Sequence, residues 1–276
     1  MTSPEDLLWV AVTADHKQVM VETAEKAKTG PAPPAGSAQA EDQAKPHFVL
    51  QFLDLDSLAP ARTLRLDSIV DLEGTSTGYA NFVHKGDLWL LRFGPTPDQR
   101  QNIARVRSRC IPQVFYPSNQ SLVIGRCSLT TNDYSLTGFT VSGRRLWRQR
   151  WDQYRYYPAV SRSGDSSRFG VSTLRLAAAP GSAVPPGDDA DLNHGLEQEV
   201  QIFETASGDP VETVAMSAPV LNGQNFSLSP DGRQLAVLAE SAIEFYDLPP
   251  IGEEEQAKFA ALKADSPGLY LSLIHI

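Results

Sequence analysis

The sequence predicts an all-β fold, a β-propeller, from two kinds of internal repeat and from their spacing. One strand–turn–strand segment occurs at 160–171 and again, without a gap, at 226–237. A second strand–turn–strand segment occurs at 50–64 and again at 200–214. Because the two segments follow each other along the chain, they form units of roughly 45 residues with four short strands each, as propeller blades do.

The first repeat predicts the two strands that open each blade, strands A and B. Its copies at 160–171 (VSRSGDSSRFGV) and 226–237 (FSLSPDGRQLAV) consist of an apolar strand, a Ser-led polar turn and a second apolar strand. A third copy lies at 114–124 (VFYPSNQSLVI). Each turn contains Pro, Gly, Asp, Asn or Ser, the residues that backbone reversals favour.

The second repeat predicts strands C and D, which complete each blade. Residues 50–64 (LQFLDLDSLAPARTL) match 200–214 (VQIFETASGDPVETV), and a third copy spans Leu136 to Gln149. Residues 243–248 begin a fourth copy. Two apolar runs around a turn of Gly, Pro, Asp or Ser indicate a hairpin.

The repeats divide residues 1–262 into five blades of a single partial propeller. We expect the first blade to lack strand A, because no strand precedes 6–12, and the last to be incomplete, because 253–264 favours a helix. We therefore expect a fragment of a larger ring of six to eight blades. The predicted blades lie near residues 5–65, 66–108, 110–155, 156–217 and 220–262.

Three further segments depart from the repeat. Residues 23–45 and 177–197 are rich in Ala, Pro and Gly, a composition that predicts disordered insertions between strands B and C. They are either tolerated surface loops or a lid or partner-binding element. Residues 263–276 form a tail, and its last residues, 271–276, resemble the translation of a sequencing adapter. We expect them to be an artefact of a metagenomic sequence.

The turn at Ser229–Gly232 (SPDG), followed by 235–238 (LAVL) and 243–247 (IEFYD), resembles blades of the WD-repeat and quinoprotein-like propellers of bacteria. The pattern extends over most of the chain, whereas the motif itself is limited to 220–248. Tyr246-Asp247 stands where WD repeats have Trp-Asp, and the Trp-bearing docking motifs of quinone-cofactor enzymes are missing.

This resemblance implies a non-catalytic interaction or binding platform that needs no cofactor. The alternative is a quinoprotein-like or hydrolase-type propeller enzyme whose catalytic residues lie outside this chain. The sequence itself offers no catalytic or metal-binding candidate, since none of the five histidines has a second ligand at metal spacing. Phosphate-loop and nucleophile-elbow patterns are also missing.

Composition narrows the choice of partner. Hydrophobic residues make up 41% and charged residues 21% of the chain, as in ordinary globular proteins. The net charge of −9 argues against a general nucleic-acid binder. No apolar run approaches the roughly 18 residues of a membrane-spanning helix. The oligomeric state cannot be read from these features.

Arginine is unevenly distributed. We call the residues from Arg92 to Arg175 the basic segment. It has 14 Arg, no Lys, no Glu and only four Asp. Charged residues on the D strands keep sheet edges from pairing, and neighbouring aromatic rings pack between blades. Alternatively, these residues form a basic, aromatic rim that binds a protein or an acidic polymer. The candidate rim residues are Arg105, Arg107, Arg109, Arg144, Arg145, Arg148, Arg150, Trp147 and Trp151.

The two cysteines raise the question of a disulfide. If residues 117–120 form a four-residue turn, Phe115 faces Leu122 and Cys110 faces Cys127. Opposed residues of antiparallel strands lie close enough for a disulfide in some registers. The alternative is two buried free thiols. A disulfide would point to export, so a periplasmic or extracellular location is favoured over the cytoplasm if the N-terminus is truncated.

Overall fold

In the computed structural model, the described part of the chain forms five antiparallel sheets in chain order, four of them with four strands and one with three. The chain divides into two compact units, the first made of residues 1–85 and 90–105, and the second of 86–89 and 106–276. The structure describes residues 7–24, 48–67, 70, 74–85, 88–107, 112–126, 134–151, 156–176, 196–216, 225–238 and 242–264.

Sheets 1 and 2 make up most of the first unit. In both sheets the strands follow one another in chain order, so that each strand pairs with the next. Sheet 1 contains β1 (Leu7–Val12), β2 (Gln18–Ala24), β3 (Phe48–Asp54) and β4 (Pro60–Leu66). Sheet 2 contains β5 (Gly74–Thr75), β6 (Gly78–Lys85), β7 (Leu88–Gly94) and β8 (Gln101–Arg107), with a short 3-10 helix at Pro97–Gln99 before β8.

Sheets 3, 4 and 5 belong to the second unit and have the same strand order. Sheet 3 contains β9 (Gln113–Ser118), β10 (Ser121–Arg126), β11 (Tyr134–Thr140) and β12 (Arg145–Trp151). Sheet 4 contains β13 (Tyr156–Arg162), β14 (Arg168–Leu176), β15 (Leu196–Glu204) and β16 (Pro210–Met216). Sheet 5 contains β17 (Phe226–Leu228), β18 (Gln234–Leu238) and β19 (Ile243–Asp247), and helix α1 (Glu253–Ala264) follows it.

Repeated four-stranded antiparallel sheets are the blades of a β-propeller, and the predicted fold class is confirmed. In the second unit, β13 contacts both β9 and β17, the first strands of the two neighbouring sheets. The three blades of this unit therefore stack through their first strands. The number of blades in a complete ring and the single-domain organisation stay predictions.

The expectation that the first blade lacks strand A is wrong, because sheet 1 has four strands. Strand β1 is its strand A, and the turn Thr13–Lys17 joins it to β2. This turn is a copy of the first repeat in which Thr13 replaces Ser, and His16 stands where the other copies have Ser166 or Gly232, which concealed it in the sequence. The predicted helix at 253–264 is confirmed. Pro249 and Pro250 precede it, and Pro cannot donate a hydrogen bond to a sheet.

Sheet 4 buries apolar side chains on both of its faces, because successive residues of a strand point to opposite sides. We call the face that packs on the following sheet the leading face, and the face that packs on the preceding sheet the trailing face. In sheet 4 the leading face consists of Ala159, Val200, Ile202 and Val214, which pack against sheet 5. Its trailing face consists of Val160, Phe169, Val171 and Phe203, which pack against sheet 3.

Trp147 links sheets 3 and 4 through a close fit against two glycines. A Cβ atom at Gly138, opposite it on β11, would lie 2.4 Å from the indole. A Cβ atom at Gly208, in the C–D turn of sheet 4, would lie 2.3 Å from it. The indole Nε1 donates a hydrogen bond to the carbonyl of Thr205 at 3.0 Å, and the ring stacks on Phe169. The two glycines therefore provide the space that this contact requires.

We expect Gly208→Ala to destabilise the second unit by about 2 kcal/mol or more. The new methyl group would overlap the Trp147 indole, and φ at residue 208 is +70°, a conformation that costs L-residues roughly 1–2 kcal/mol. Urea unfolding followed by tryptophan fluorescence measures the change.

The matched control for Gly208→Ala is Leu58→Ala, at the equivalent turn position of sheet 1. Leu58 also has a positive φ, +55°, but its side chain is exposed and the site already accommodates a Cβ atom. We expect this control to change stability by less than about 0.5 kcal/mol. Equal effects at the two positions would contradict the role given to Trp147.

Candidate functional site

The candidate rim arginines of sheet 3 lie on and beside its outermost strand, β12. Arg144, Arg145 and Arg150 are exposed, and Arg148 is half-buried. Neither β12 (RLWRQRW) nor its partner β11 (YSLTGFT) contains an acidic residue. Positive charge is therefore concentrated along this edge of the sheet without acidic neighbours on the same two strands.

A second group of rim candidates lies on β8, the outermost strand of sheet 2. Arg105 and Arg107 are exposed and flank the buried Val106, as alternation along an edge strand requires. Arg109 lies outside the described residues. The described candidate arginines thus lie on or beside two separate outer strands, β8 and β12.

Of the two aromatic candidates, Trp147 does not join the arginines at the surface. Trp147 is only 9% exposed and belongs to the apolar cluster between sheets 3 and 4. Its placement agrees with the interpretation that rings near the arginines pack between blades. The side chain of Trp151, at the end of β12, is not among those that the structure describes.

The strand register changes the geometric argument for a disulfide. Phe115 pairs with Val123 rather than with Leu122, because Ser118 and Ser121 already pair around a two-residue turn and an irregularity between Ser121 and Val123 then shifts the register by one residue. The register that placed Cys110 opposite Cys127 is therefore wrong in the described part of this hairpin. Both cysteines lie outside the described residues, and their pairing stays a prediction.

Three A–B turns share one hydrogen-bond network, which the sequence repeat only hinted at. They span Thr13–Lys17, Ser163–Ser167 and Ser229–Arg233. In each, the first hydroxyl donates to the Asp two residues later, at 2.7, 2.7 and 2.6 Å. The same hydroxyl accepts a hydrogen bond from the backbone N–H five residues later, at 3.1, 3.0 and 2.9 Å. The same hydrogen-bond pattern thus fixes the A–B turn in sheets 1, 4 and 5.

The Asp of the sheet 4 turn remains ionised in spite of its partial burial. Burial by itself would raise the pKa of Asp165, but hydrogen bonds from Ser163 and Ser167 and the nearby charge of Lys263 hold that pKa below its ordinary value. The carboxylate therefore acts as a hydrogen-bond acceptor that fixes the turn.

Arg168 forms a buried ion pair that sequence reasoning missed. Its side chain is 1% exposed, and its Nη2 and Nε donate to Oε1 of Glu204 at 2.8 and 3.2 Å. Its Nη1 donates to the carbonyl oxygen of Gly232 at 2.8 Å. The guanidinium thus connects the start of β14 with the C–D turn of its own sheet and the A–B turn of sheet 5. In the sequence, Arg168 is indistinguishable from the other arginines of the basic segment.

Helix α1 covers a cavity of about 300 Å³ at these turns. The lining includes Asp165 and Glu204 from sheet 4, and Glu255, Phe259 and Lys263 from α1. Phe259 is buried, and the backbone N–H of residue 207 donates to Oε1 of Glu255 at 3.1 Å. Oε2 of Glu204 is buried and has no hydrogen-bond partner within the described ranges. The cavity could therefore accept a small group that donates hydrogen bonds.

The described part of the chain contains no group of three or more His, Cys, Asp or Glu residues that could hold a metal ion. Among the same residues, no helix is long and apolar enough to cross a membrane.

No family model and no curated protein matches the chain. Solved structures with a similar fold include an oligogalacturonate lyase in complex with manganese (12% identity, TM-score 0.48, covering 92% of this chain and 68% of that one). Another is the β-propeller domain of the trilobed protease from Pyrococcus furiosus (11%, 0.47, 90% and 71%). A third is Hsv2 of Kluyveromyces marxianus (12%, 0.45, 88% and 76%).

These likenesses are too distant to carry an argument about function. The sheets and the way they pack define the chain as a β-propeller repeat protein. Its class rests on the strand order and on the stacked sheets described above.

We expect Arg168→Ala to destabilise the second unit by roughly 3–5 kcal/mol, because it leaves the Glu204 carboxylate buried without its partner. Urea unfolding measures the change. The control is Arg233→Ala, on an exposed turn residue, which should change stability by less than about 0.5 kcal/mol. Similar losses of stability in Arg168→Ala and Arg233→Ala would show that the buried ion pair contributes no more to stability than an exposed arginine does.

The pKa of Glu255 is raised, first by burial and then by the charge of Glu204, although hydrogen bonds from Ser207 partly oppose this. Its contribution to stability is thus complete at acid pH and is lost as pH rises through the raised pKa. We expect Glu255→Gln to be more stable than the wild type at neutral pH, with the difference vanishing at acid pH. Urea midpoints between pH 3 and 8 test this, and a pH-independent difference would contradict it.

Proposed function

We propose that the chain is a non-catalytic binding platform that takes an acidic partner, a protein or an acidic polymer, along strand β12. The observation that carries the proposal is the pair of exposed arginines, Arg145 and Arg150, on this outermost strand, without acidic residues on β12 or on the adjacent β11.

The chemistry of arginine supports this proposal. Guanidinium groups form paired hydrogen bonds with carboxylate, sulfate or phosphate groups, whereas lysine acts as a point charge. The basic segment contains arginine and no lysine. Arg145 and Arg150 lie near opposite ends of β12, roughly 16 Å apart along an extended strand. That spacing suits a linear partner with several anionic groups.

A purely protective role for these arginines makes a different prediction. Any charged residue discourages the pairing of sheet edges, whatever its sign. Replacing arginine by glutamate therefore preserves protection of the edge but reverses the charge offered to a partner. Charge reversal distinguishes the two roles, whereas substitution by alanine would not.

We expect the double variant Arg145→Glu/Arg150→Glu to bind heparin and polyglutamate at least about tenfold more weakly than the wild type at low salt. Fluorescence anisotropy of the labelled polymers gives the affinities, and a duplex DNA probe measures the contribution of general charge. Rising salt should weaken the wild type more steeply than the variant, because the lost contacts are electrostatic.

The matched control is Arg65→Glu/Arg233→Glu, which makes the same change in net charge at two exposed positions outside sheet 3. We expect its affinities to stay within about twofold of the wild type. Equal losses of affinity in the two double variants would show that binding depends on the net charge of the chain and not on the position of the arginines on β12. Failure of the wild type to bind any of these polyanions would overturn the proposal.

A further inference from the structure

Arg62 in sheet 1 and Trp147 in sheet 3 occupy matching positions of the second repeat. Each lies on the last strand of its sheet and pairs with the residue that precedes the irregularity of the neighbouring strand. Trp147 donates to the Thr205 carbonyl in the C–D turn of sheet 4. Nη1 of Arg62 donates to the Pro95 carbonyl in the C–D turn of sheet 2, at 3.1 Å. This contact between neighbouring sheets therefore uses a single N–H donor.

Arginine brings more donors to this position than the contact uses. An indole has one N–H, whereas a guanidinium has five and a positive charge. Cζ of Arg62 lies 3.7 Å from the centroid of the Phe52 ring, and its Nη2 is buried without a hydrogen-bond partner in the described ranges. Burial lowers the pKa of Arg62, the direction expected of a cation without an acidic neighbour. Nη2 is thus a donor that the fold leaves unused.

The hydroxyl of Tyr79 is a second unused donor in the same contact. Tyr79, on β6, is 0% exposed and packs on the leading face of sheet 1. Its hydroxyl is buried and has no hydrogen-bond partner among the residues that the structure describes. Burial raises the pKa of Tyr79, the charges of Arg100 and Arg62 lower it, and the charge of Asp98 raises it. Cζ of Arg100 lies 5.7 Å from the Tyr79 ring centroid. Two cationic groups therefore flank this hydroxyl.

The group lacks an acceptor. Buried donors in native proteins are nearly always hydrogen-bonded, and an unmade bond costs roughly 1–3 kcal/mol. Asp98, the acidic residue whose charge acts on Tyr79, is exposed and forms no ion pair with Arg62 or Arg100 within the described ranges. A water molecule would satisfy the donors but not the charge. A negatively charged acceptor would satisfy both.

We propose that Nη2 of Arg62 and the hydroxyl of Tyr79 bind a small anion, the size of chloride, between sheets 1 and 2. Hydrogen bonds from a guanidinium to an anion are about twice as strong as neutral ones, and the charge of Arg100 adds to the attraction. Both donor atoms are closed to solvent, so the ion is small and monoatomic. The site belongs to the first unit and is independent of the proposed binding function of β12.

The test measures urea unfolding of the full chain in sodium chloride and in sodium gluconate at equal ionic strength. Gluconate is too large for a site that is closed to solvent. We expect the urea midpoint of the wild type to rise with chloride along a saturable curve, because an ion that binds only the folded state stabilises it.

Tyr79→Phe keeps the ring and removes only the hydroxyl. We expect the chloride concentration for half of the effect to increase at least about tenfold. In gluconate this variant should be at least as stable as the wild type, because the hydroxyl that it loses has no partner there. Arg62→Gln keeps N–H groups at this position but removes the charge, and it should abolish the chloride dependence.

The matched control is Arg65→Gln, which makes the same change in charge at an exposed position of the same strand, β4. It should keep the chloride response of the wild type. A wild-type midpoint that does not depend on chloride would overturn the proposal. An unchanged chloride response in both Tyr79→Phe and Arg62→Gln would also overturn it, as would an equal loss of that response in Arg62→Gln and Arg65→Gln.

Discussion

A sheet with apolar side chains on both faces must have both faces covered, and this requirement organises the chain. Phe169 and Val171 on one face of sheet 4, and Val200 and Ile202 on the other, are all fully buried. Each such side chain contributes roughly 1.5–3 kcal/mol when it leaves water. A single blade would leave one or both of these faces exposed. Successive blades within each unit therefore stabilise each other.

Polar contacts at the turns complement this apolar stacking. The buried guanidinium of Arg168 satisfies Glu204 in its own sheet and the Gly232 carbonyl of the next one. Trp147 likewise links sheets 3 and 4. Its ring lies in the apolar cluster between them, and its Nε1 donates a hydrogen bond to the Thr205 carbonyl. Apolar burial is not directional, whereas hydrogen bonds are. The turn contacts consequently set how adjacent blades align, while the faces supply most of the stabilisation.

One residue type serves two opposite purposes in the basic segment. Arg168 is buried and compensated, and it supports the fold. Arg145 and Arg150 are exposed on an edge strand, where their charge is available to a partner. Whether an arginine is buried or exposed depends on its strand, because Arg168 begins an inner strand of its sheet, whereas Arg145 and Arg150 lie on an outermost strand. Counting arginines along the chain therefore overstates the charge that the surface offers.

The sequence by itself determined the repeated strands, the hairpin turns and the helix at 253–264, because alternation and turn residues act over a few positions. It did not reveal that Leu7–Val12 is strand A of a complete blade, since Thr13 and His16 altered the turn signal. The register of β9 against β10, the burial of Trp147 and the pairing of Arg168 with Glu204 depended on tertiary structure. The register depends on the turn and on a bulge, the burial of Trp147 on contacts between sheets, and the Arg168–Glu204 pair on how β14 and β15 pair. None of the three leaves a local pattern in the sequence.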